Sequence, residues 1–220
     1  MQPNQPSNPA SGVVYVVDDD ASVRKNIARL VRSAGHEACC FASAELFLKR
    51  ADVRRPACVL LDFSMPGMDG LAVQDELHRR GLSMPIVFLS GHGSVRIATR
   101  AMKSGAVDFI EKPFQAEVLL KLVADALARD RRQCADAAAR DRLSARYATL
   151  TPRERQVMRY VIRGFLNKQT AAELGISETT IKIHRGRVMD KMLAESVPEL
   201  VHMAEQVGVW EPAARAFVAG

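Results

Sequence analysis

Four short segments hold the residues with chemical potential: VVDDD at Val16–Asp20, LLDFSMPGMDG from Leu60, LSGHG from Leu89 and AVDFIEKPF from Ala106. Adjacent carboxylates such as Asp18, Asp19 and Asp20 repel one another and resist burial unless a cation neutralises them. Asp18 and Asp19 follow one apolar run, Asp62 ends a second, Ser90 a third, and Lys112 follows a fourth. Brought to one place, these groups are suited to phosphoryl chemistry. Clustered carboxylates call for a hard cation with oxygen ligands and bound water, which Mg²⁺ is. Asp62 would attack phosphorus with its carboxylate and become an acyl phosphate. Lys112 would pair with the phosphoryl oxygens as a point charge, and Ser90 would hydrogen-bond one of them. The backbone carbonyl of Ser64 would add a metal oxygen.

Something must hold these segments together. Apolar runs VVYVV, HEACCF, ACVLL, PIVFL and AVDFI alternate with stretches of helical spacing at Asp20–Ala34, Asp69–Arg80, Gly93–Ser104 and Gln115–Leu127. Gly35, Gly81 and Gly105 stand where three of these helices should stop. The pattern predicts an α/β fold with a doubly wound, five-stranded parallel sheet, helices on both faces. In such a sheet functional groups gather at the carboxyl ends of the strands. A lone strand-end Asp is usually a helix cap and a lone Lys is usually solvated; four signals at four strand ends are harder to set aside. Asp20 is read as the N-cap of the first helix.

The chain has 220 residues, 48% of them hydrophobic and 25% charged, enough for two small cores. No apolar run approaches the roughly 20 residues of a membrane span, so no membrane partner is expected. Residues 1–12 are polar and Pro-rich, without the order of a signal peptide, and read as a disordered tail. Residues 211–220 form a second tail. Cys39, Cys40, Cys58 and Cys134 show no CxxC spacing and read as buried thiols in a reducing cytoplasm. Up to Asp125, 15 Lys and Arg stand against 14 Asp and Glu; from Ala126 on, 16 stand against 11. A polyanion partner would therefore belong to the second half.

Residues 128–148 are rich in Ala, Arg and Asp without Gly or Pro, which favours a helical linker, either partly coiled-coil or a single solvated helix. Thr151, Pro152 and Glu154 then make a capping box and N1 proline. A helix Lys168–Leu174, a turn at Gly175, a cap at Ser177 and a helix Glu178–Met192 give the helix-turn-helix pattern. On the second helix Ile181, Val188 and Met192 share one face. Thr179, Lys182, Ile183, Gly186, Arg187 and Asp190 share the other. Gly186 would let the backbone approach a duplex, Ile183 would meet a thymine methyl, and Lys182 would donate to guanine. Lys168, Arg185, Arg187 and Lys191 suit phosphates. A small helical bundle for protein contacts is the blander alternative.

The set VVDDD, LLDFSMPGMDG, LSGHG and AVDFIEKPF, over about Val13 to Leu127, resembles the receiver domain of two-component response regulators. The run from LTPRERQV to VMDKM, within Leu150 to Val209, resembles the LuxR/NarL effector domain. Together the halves look most like the FixJ subgroup. The resemblance implies a phosphoacceptor at Asp62, a direct Mg²⁺ ligand at Asp19, a water-mediated role for Asp18, and a switch made of Ser90 and Phe109. It also implies a cis bond at Lys112–Pro113. Its domains would be a receiver at 13–127, a linker at 128–148 and a helix-turn-helix domain at 149–210. The implied partners are a sensor histidine kinase, double-stranded DNA, a second copy when phosphorylated, and RNA polymerase. Dimerisation would use the face from about Arg96 to Leu127, and the last helix, about Pro198–Val207, when on DNA. A phosphohydrolase reading and a constitutive DNA-binding reading are the alternatives; the first usually needs an acid where Ser64 stands.

Overall fold

The computed structural model describes residues 11–91 and 107–209. The chain divides into two compact units between Ala135 and Asp136. The expected helix at Gly93–Ser104, its stop at Gly105 and part of the expected dimer face lie outside the described residues. So do residues 1–10 and the tail at 211–220.

In the first unit the order is β1 (Val13–Val17), α1 (Ala21–Ser33), β2 (Glu37–Phe41), α2 (Ala44–Arg50), β3 (Ala57–Asp62), α3 (Gly70–Arg79), β4 (Ile86–Ser90), β5 (Asp108–Glu111) and α4 (Ala116–Ala148). All neighbours pair in parallel, in the order β2-β1-β3-β4-β5. Alternate residues serve two cores, which is why the central strands are apolar throughout. Val14, Val16, Leu60, Val87 and Leu89 pack with Ile27, Val31, Leu119 and Val123. Tyr15, Val17, Val59, Leu61 and Phe88 pack on the other face with Phe47, Val73 and Leu77. Pairing of Val17 with Leu61, Asp62 with Leu89 and Ser90 with Glu111 brings the carboxyl ends of β1, β3, β4 and β5 to one edge.

Two features depart from the sequence reading. Helix α2 has no counterpart in it, although Ser43 caps the helix at Leu46 N and Lys49 and Arg50 end it. The thiols are also less uniform than expected: Cys58 is buried, Cys39 and Cys134 are half-buried, and Cys40 is exposed because β2 is an edge strand.

Helix α4 runs without a break through residues 128–148. Within the first unit, its Asp130 is fully buried and accepts from the Arg55 guanidinium (Nε at 3.0 Å) and from Ala57 N–H at 2.7 Å. The peptide bonds at Lys112–Pro113 and Arg55–Pro56 are cis.

The second unit contains the end of α4, then α5 (Pro152–Ile162), α6 (Asn167–Leu174), α7 (Glu178–Met192) and α8 (Val197–Gln206). Its core joins Leu143, Val157, Met158 and Val161 to Ile181, Val188, Met192 and Leu200. The Thr151–Glu154 capping box is formed in both directions. Gly175, at φ 64°, closes α6 in the left-handed region and starts the turn toward Ser177, the N-cap of α7.

Candidate functional site

At the strand edge, Asp18 is fully buried and Asp19 is exposed. Lys112 Nζ donates to Asp18 Oδ2 at 2.6 Å and to Asp62 Oδ2 at 3.1 Å. One carboxylate oxygen from each of Asp18, Asp19 and Asp62 lies within 4.8 Å of the others. Residues at the carboxyl ends of β1, β3 and β5, up to 94 positions apart, thus come together. Asp20 stands apart from them: its carboxylate accepts from Ser22 N at 2.7 Å and Val23 N at 3.2 Å, and so caps α1.

Burial pushes the Asp18 carboxyl above its ordinary range, opposed by the Lys112 ammonium and by Asp20 N–H. Burial works against the Lys112 charge too, but the bonds to Asp18 and Asp62 outweigh it and push the lysine up, so it stays protonated. Three carboxylates against one ammonium leave the pocket acidic. Asp18 has already committed Oδ1 to Asp20 N–H and Oδ2 to Lys112. Asp62 is engaged in the same way, at Oδ1 by Ser64 N–H and at Oδ2 by Lys112, and the three carboxylates together offer an all-oxygen donor set that fits Mg²⁺.

Ser64 N–H donates to Asp62 Oδ1 at 3.2 Å, and the Ser64 side chain is exposed. Ser90 is 1% exposed at the end of β4, and its carbonyl accepts from Lys112 N–H at 2.7 Å. Phe109 is half-buried on β5, packed beside the cluster that contains Phe88. A further group escaped the sequence reading: the Arg24 guanidinium donates to the Asp18 carbonyl at 2.6 Å. Its position one turn into α1 is the signal that would have found it.

On α7 the two faces divide as expected. Ile181, Val188 and Met192 are buried. Thr179, Lys182, Gly186 and Arg187 are exposed, with Ile183 at 52%. A Cβ on Gly186 would meet no atom within 4 Å, so the space outside the helix there is open. Lys168 is exposed on α6. The remaining two cations are engaged inside the domain. Lys191 Nζ donates to the buried Glu154 Oε2 at 2.6 Å and to the Thr149 carbonyl at 3.1 Å. Half-buried Arg185 donates to Asn167 Oδ1 at 3.2 Å.

Comparison with known proteins gives the same division of the chain. A family model of the response regulator receiver domain matches residues 14–124, and one of the bacterial regulatory proteins of the luxR family matches residues 148–204. The chain is 44% identical to the response regulator protein TmoT of Ectopseudomonas mendocina, over 92% of each chain. It is 40% identical to the transcriptional regulatory protein FixJ of Bradyrhizobium diazoefficiens, over 90% of this chain and 97% of that one. The solved structure of the response regulator StyR matches with a TM-score of 0.80 and 41% identity, over 88% of this chain and 98% of that one.

Proposed function

The chain belongs to the two-component response regulators that join a receiver domain to a LuxR-family DNA-binding domain, and from that membership we propose that phosphoryl transfer onto Asp62 switches its binding to DNA. As a member it is a regulator of transcription rather than an enzyme acting on a free substrate. In the proposed organisation residues 13–127 receive the phosphoryl group, residues 128–148 link, and residues 149–210 bind double-stranded DNA in the cytoplasm.

The donor would be the phosphohistidine of a sensor kinase. An Asp62 carboxylate oxygen forms the new O–P bond while the donor N–P bond breaks, its electron pair going to the imidazole nitrogen. Asp19, Asp62 and the Ser64 carbonyl would hold Mg²⁺, with Asp18 acting through water. When bound, the ion would neutralise the repulsion between carboxylates and incoming phosphoryl oxygens. Lys112, held between Asp18 and Asp62, is placed to exchange part of that pairing for a phosphoryl oxygen. Ser90 would donate to another, and Phe109 would follow. The phosphorylated receiver would then pair with a second copy and put two α7 helices on two half-sites. RNA polymerase would be the downstream partner.

The observation that carries this reading is the pair of hydrogen bonds that Lys112 Nζ donates to Asp18 and Asp62 within the carboxylate cluster. The test is Asp62→Ala. Phosphorylation by a small-molecule phosphodonor should vanish and promoter activation should fall to the basal level; retention of both would end the proposal.

A further inference from the structure

Asp19 is the least restrained carboxylate of the cluster. Asp18 and Asp62 each have both oxygens bonded. The Asp19 side chain is exposed, and among the described residues its carboxylate joins no hydrogen bond or ion pair. Its place within 4.8 Å of the other two is therefore set by the backbone that carries it. That backbone is tied down on both sides. Before Asp19, the Asp18 N–H donates to the Phe41 carbonyl of β2 at 3.3 Å, and the Asp18 carbonyl accepts from Arg24 Nη1 at 2.6 Å. After it, the Asp20 N–H donates to Asp18 Oδ1 at 2.9 Å, and the Asp20 carbonyl accepts from the Arg24 N–H at 3.0 Å. Arg24 thus holds the turn twice, with its guanidinium and with its main chain.

The position of Arg24 in α1 explains its reach. Asp20 caps the helix, and Arg24 lies four residues on, on the same face. Long helical side chains lean back toward the N-terminus, so the half-buried Arg24 returns to the peptide just before the cap. The Asp18 carbonyl belongs to the planar unit that ends at the Asp19 Cα. Holding its oxygen fixes the plane from which the Asp19 side chain departs. A charged donor holds that oxygen more firmly than a neutral one would. The guanidinium also brings a positive charge close to the carboxylates, so its two effects on a cation have opposite signs. The charge alone disfavours Mg²⁺. The clamp favours Mg²⁺, because it removes in advance the freedom that Asp19 would lose on binding.

We propose that Arg24 is a positioning residue for Mg²⁺: by clamping the Asp18 carbonyl it holds the Asp19 carboxylate where the ion binds, an assignment that rests on the Mg²⁺ reading above. The test is calorimetric titration of the full, unphosphorylated chain, freed of metal, with MgCl₂ alone. Arg24→Ala should raise the dissociation constant about tenfold or more, the usual loss when a group that orients a metal ligand is removed. Arg24→Lys keeps the charge but loses the planar fork, and should fall between Arg24→Ala and wild type. The Mg²⁺ concentration that half-saturates phosphorylation by a small-molecule phosphodonor should rise by the same factor as the dissociation constant. Asp20→Ala separates the clamp from a general loosening of α1: it should lower the thermal midpoint and keep a dissociation constant close to that of wild type. If Arg24→Ala does not fold, Arg24→Lys decides, and wild-type affinity in it would sink the clamp. Three further results would overturn the proposal: an unchanged dissociation constant in Arg24→Ala, which makes the bond a fold contact only; a lower one, which makes the guanidinium an opposing charge; and an equal loss in Asp20→Ala, which makes the effect one of helix stability. A wild-type chain that takes up no Mg²⁺ would instead overturn the metal reading itself, and the assignment with it.

Discussion

Asp130 and Arg55 form an ion pair at the end of β3 opposite Asp62, and the pair is unequal in exposure. The Asp130 carboxylate is fully buried, whereas the Arg55 side chain is 31% exposed. Asp130 also accepts from the buried Ala57 N–H. Removing the arginine leaves a buried carboxylate without its counter-charge, held by the Ala57 N–H. Removing the aspartate lets Arg55 hydrate and orphans one N–H. Arg55→Ala should therefore destabilise the receiver more, by about 3 kcal/mol, than Asp130→Ala, by about 1–2 kcal/mol. Urea unfolding of the two variants checks the order, and equal costs would show that the pair is not asymmetric.

The acidic pocket trades stability for its site. Burial raises the Asp18 carboxyl above the ordinary 3.8, so the folded state holds that proton more tightly than the unfolded chain does. Stability from this group falls as pH rises from about 3.8 through the folded value. Asp18→Asn in EDTA should then raise the thermal midpoint at pH 7. The same variant should lose the stabilisation by Mg²⁺, which at a hundredfold excess over the dissociation constant is about 2.7 kcal/mol for one site in the wild type. Calorimetry with and without the ion reads both effects. Asp20→Ala should do the opposite: lower the midpoint by removing the α1 cap and leave Mg²⁺-dependent phosphorylation intact.

Lys191 and Arg187 sit four residues apart on α7 and should behave differently. Lys191 is tied to Glu154, whose carboxyl is held below its ordinary range: burial alone would raise it, but the Lys191 ammonium and the Thr151 N–H outweigh burial. Stability from Glu154 is thus present above about pH 4.5 and is lost as pH falls. Lys191→Ala should cost about 1–2 kcal/mol of domain stability, discounted because the lysine is one-third exposed. It should leave the salt dependence of DNA binding unchanged. Arg187→Ala should spare stability and reduce the slope of log K against log salt by about 0.9. Binding titrations across salt, with melting curves, separate the two.

These contrasts mark where the sequence was readable. The strand ends at Asp18, Asp62, Ser90 and Lys112 were legible because each follows an apolar run, and parallel topology dictates where such ends meet. The α1 cap and the α5 capping box were legible because their partners lie within three residues. Helix α2 was missed because seven residues carry too little periodicity and no glycine stop. Asp130 was missed because its partner is 75 positions away and a charged residue in a polar helix looks solvated. Lys191 misled for the same reason: only the placement of Glu154 under α7 shows that its charge points inward. Non-local polar pairing has no period, so it is what sequence patterns do not reveal.

Gly186 offers the sharpest separation of stability from function. It lies inside α7, where glycine costs about 1 kcal/mol relative to alanine. A Cβ there meets nothing within 4 Å, so alanine adds no clash to the free domain. Its neighbours on the exposed face are Lys182, Ile183 and Arg187. If that face lies against a base-pair edge, the missing Cβ is what lets the backbone come close. Gly186→Ala should therefore raise the stability of the free domain by about 1 kcal/mol and lower affinity for the target sequence about tenfold or more, with non-specific DNA binding nearly unchanged. Paired measurements of the unfolding midpoint and of specific and non-specific binding decide it. A variant that gains stability and keeps its specific affinity would show that position 186 faces solvent even on DNA.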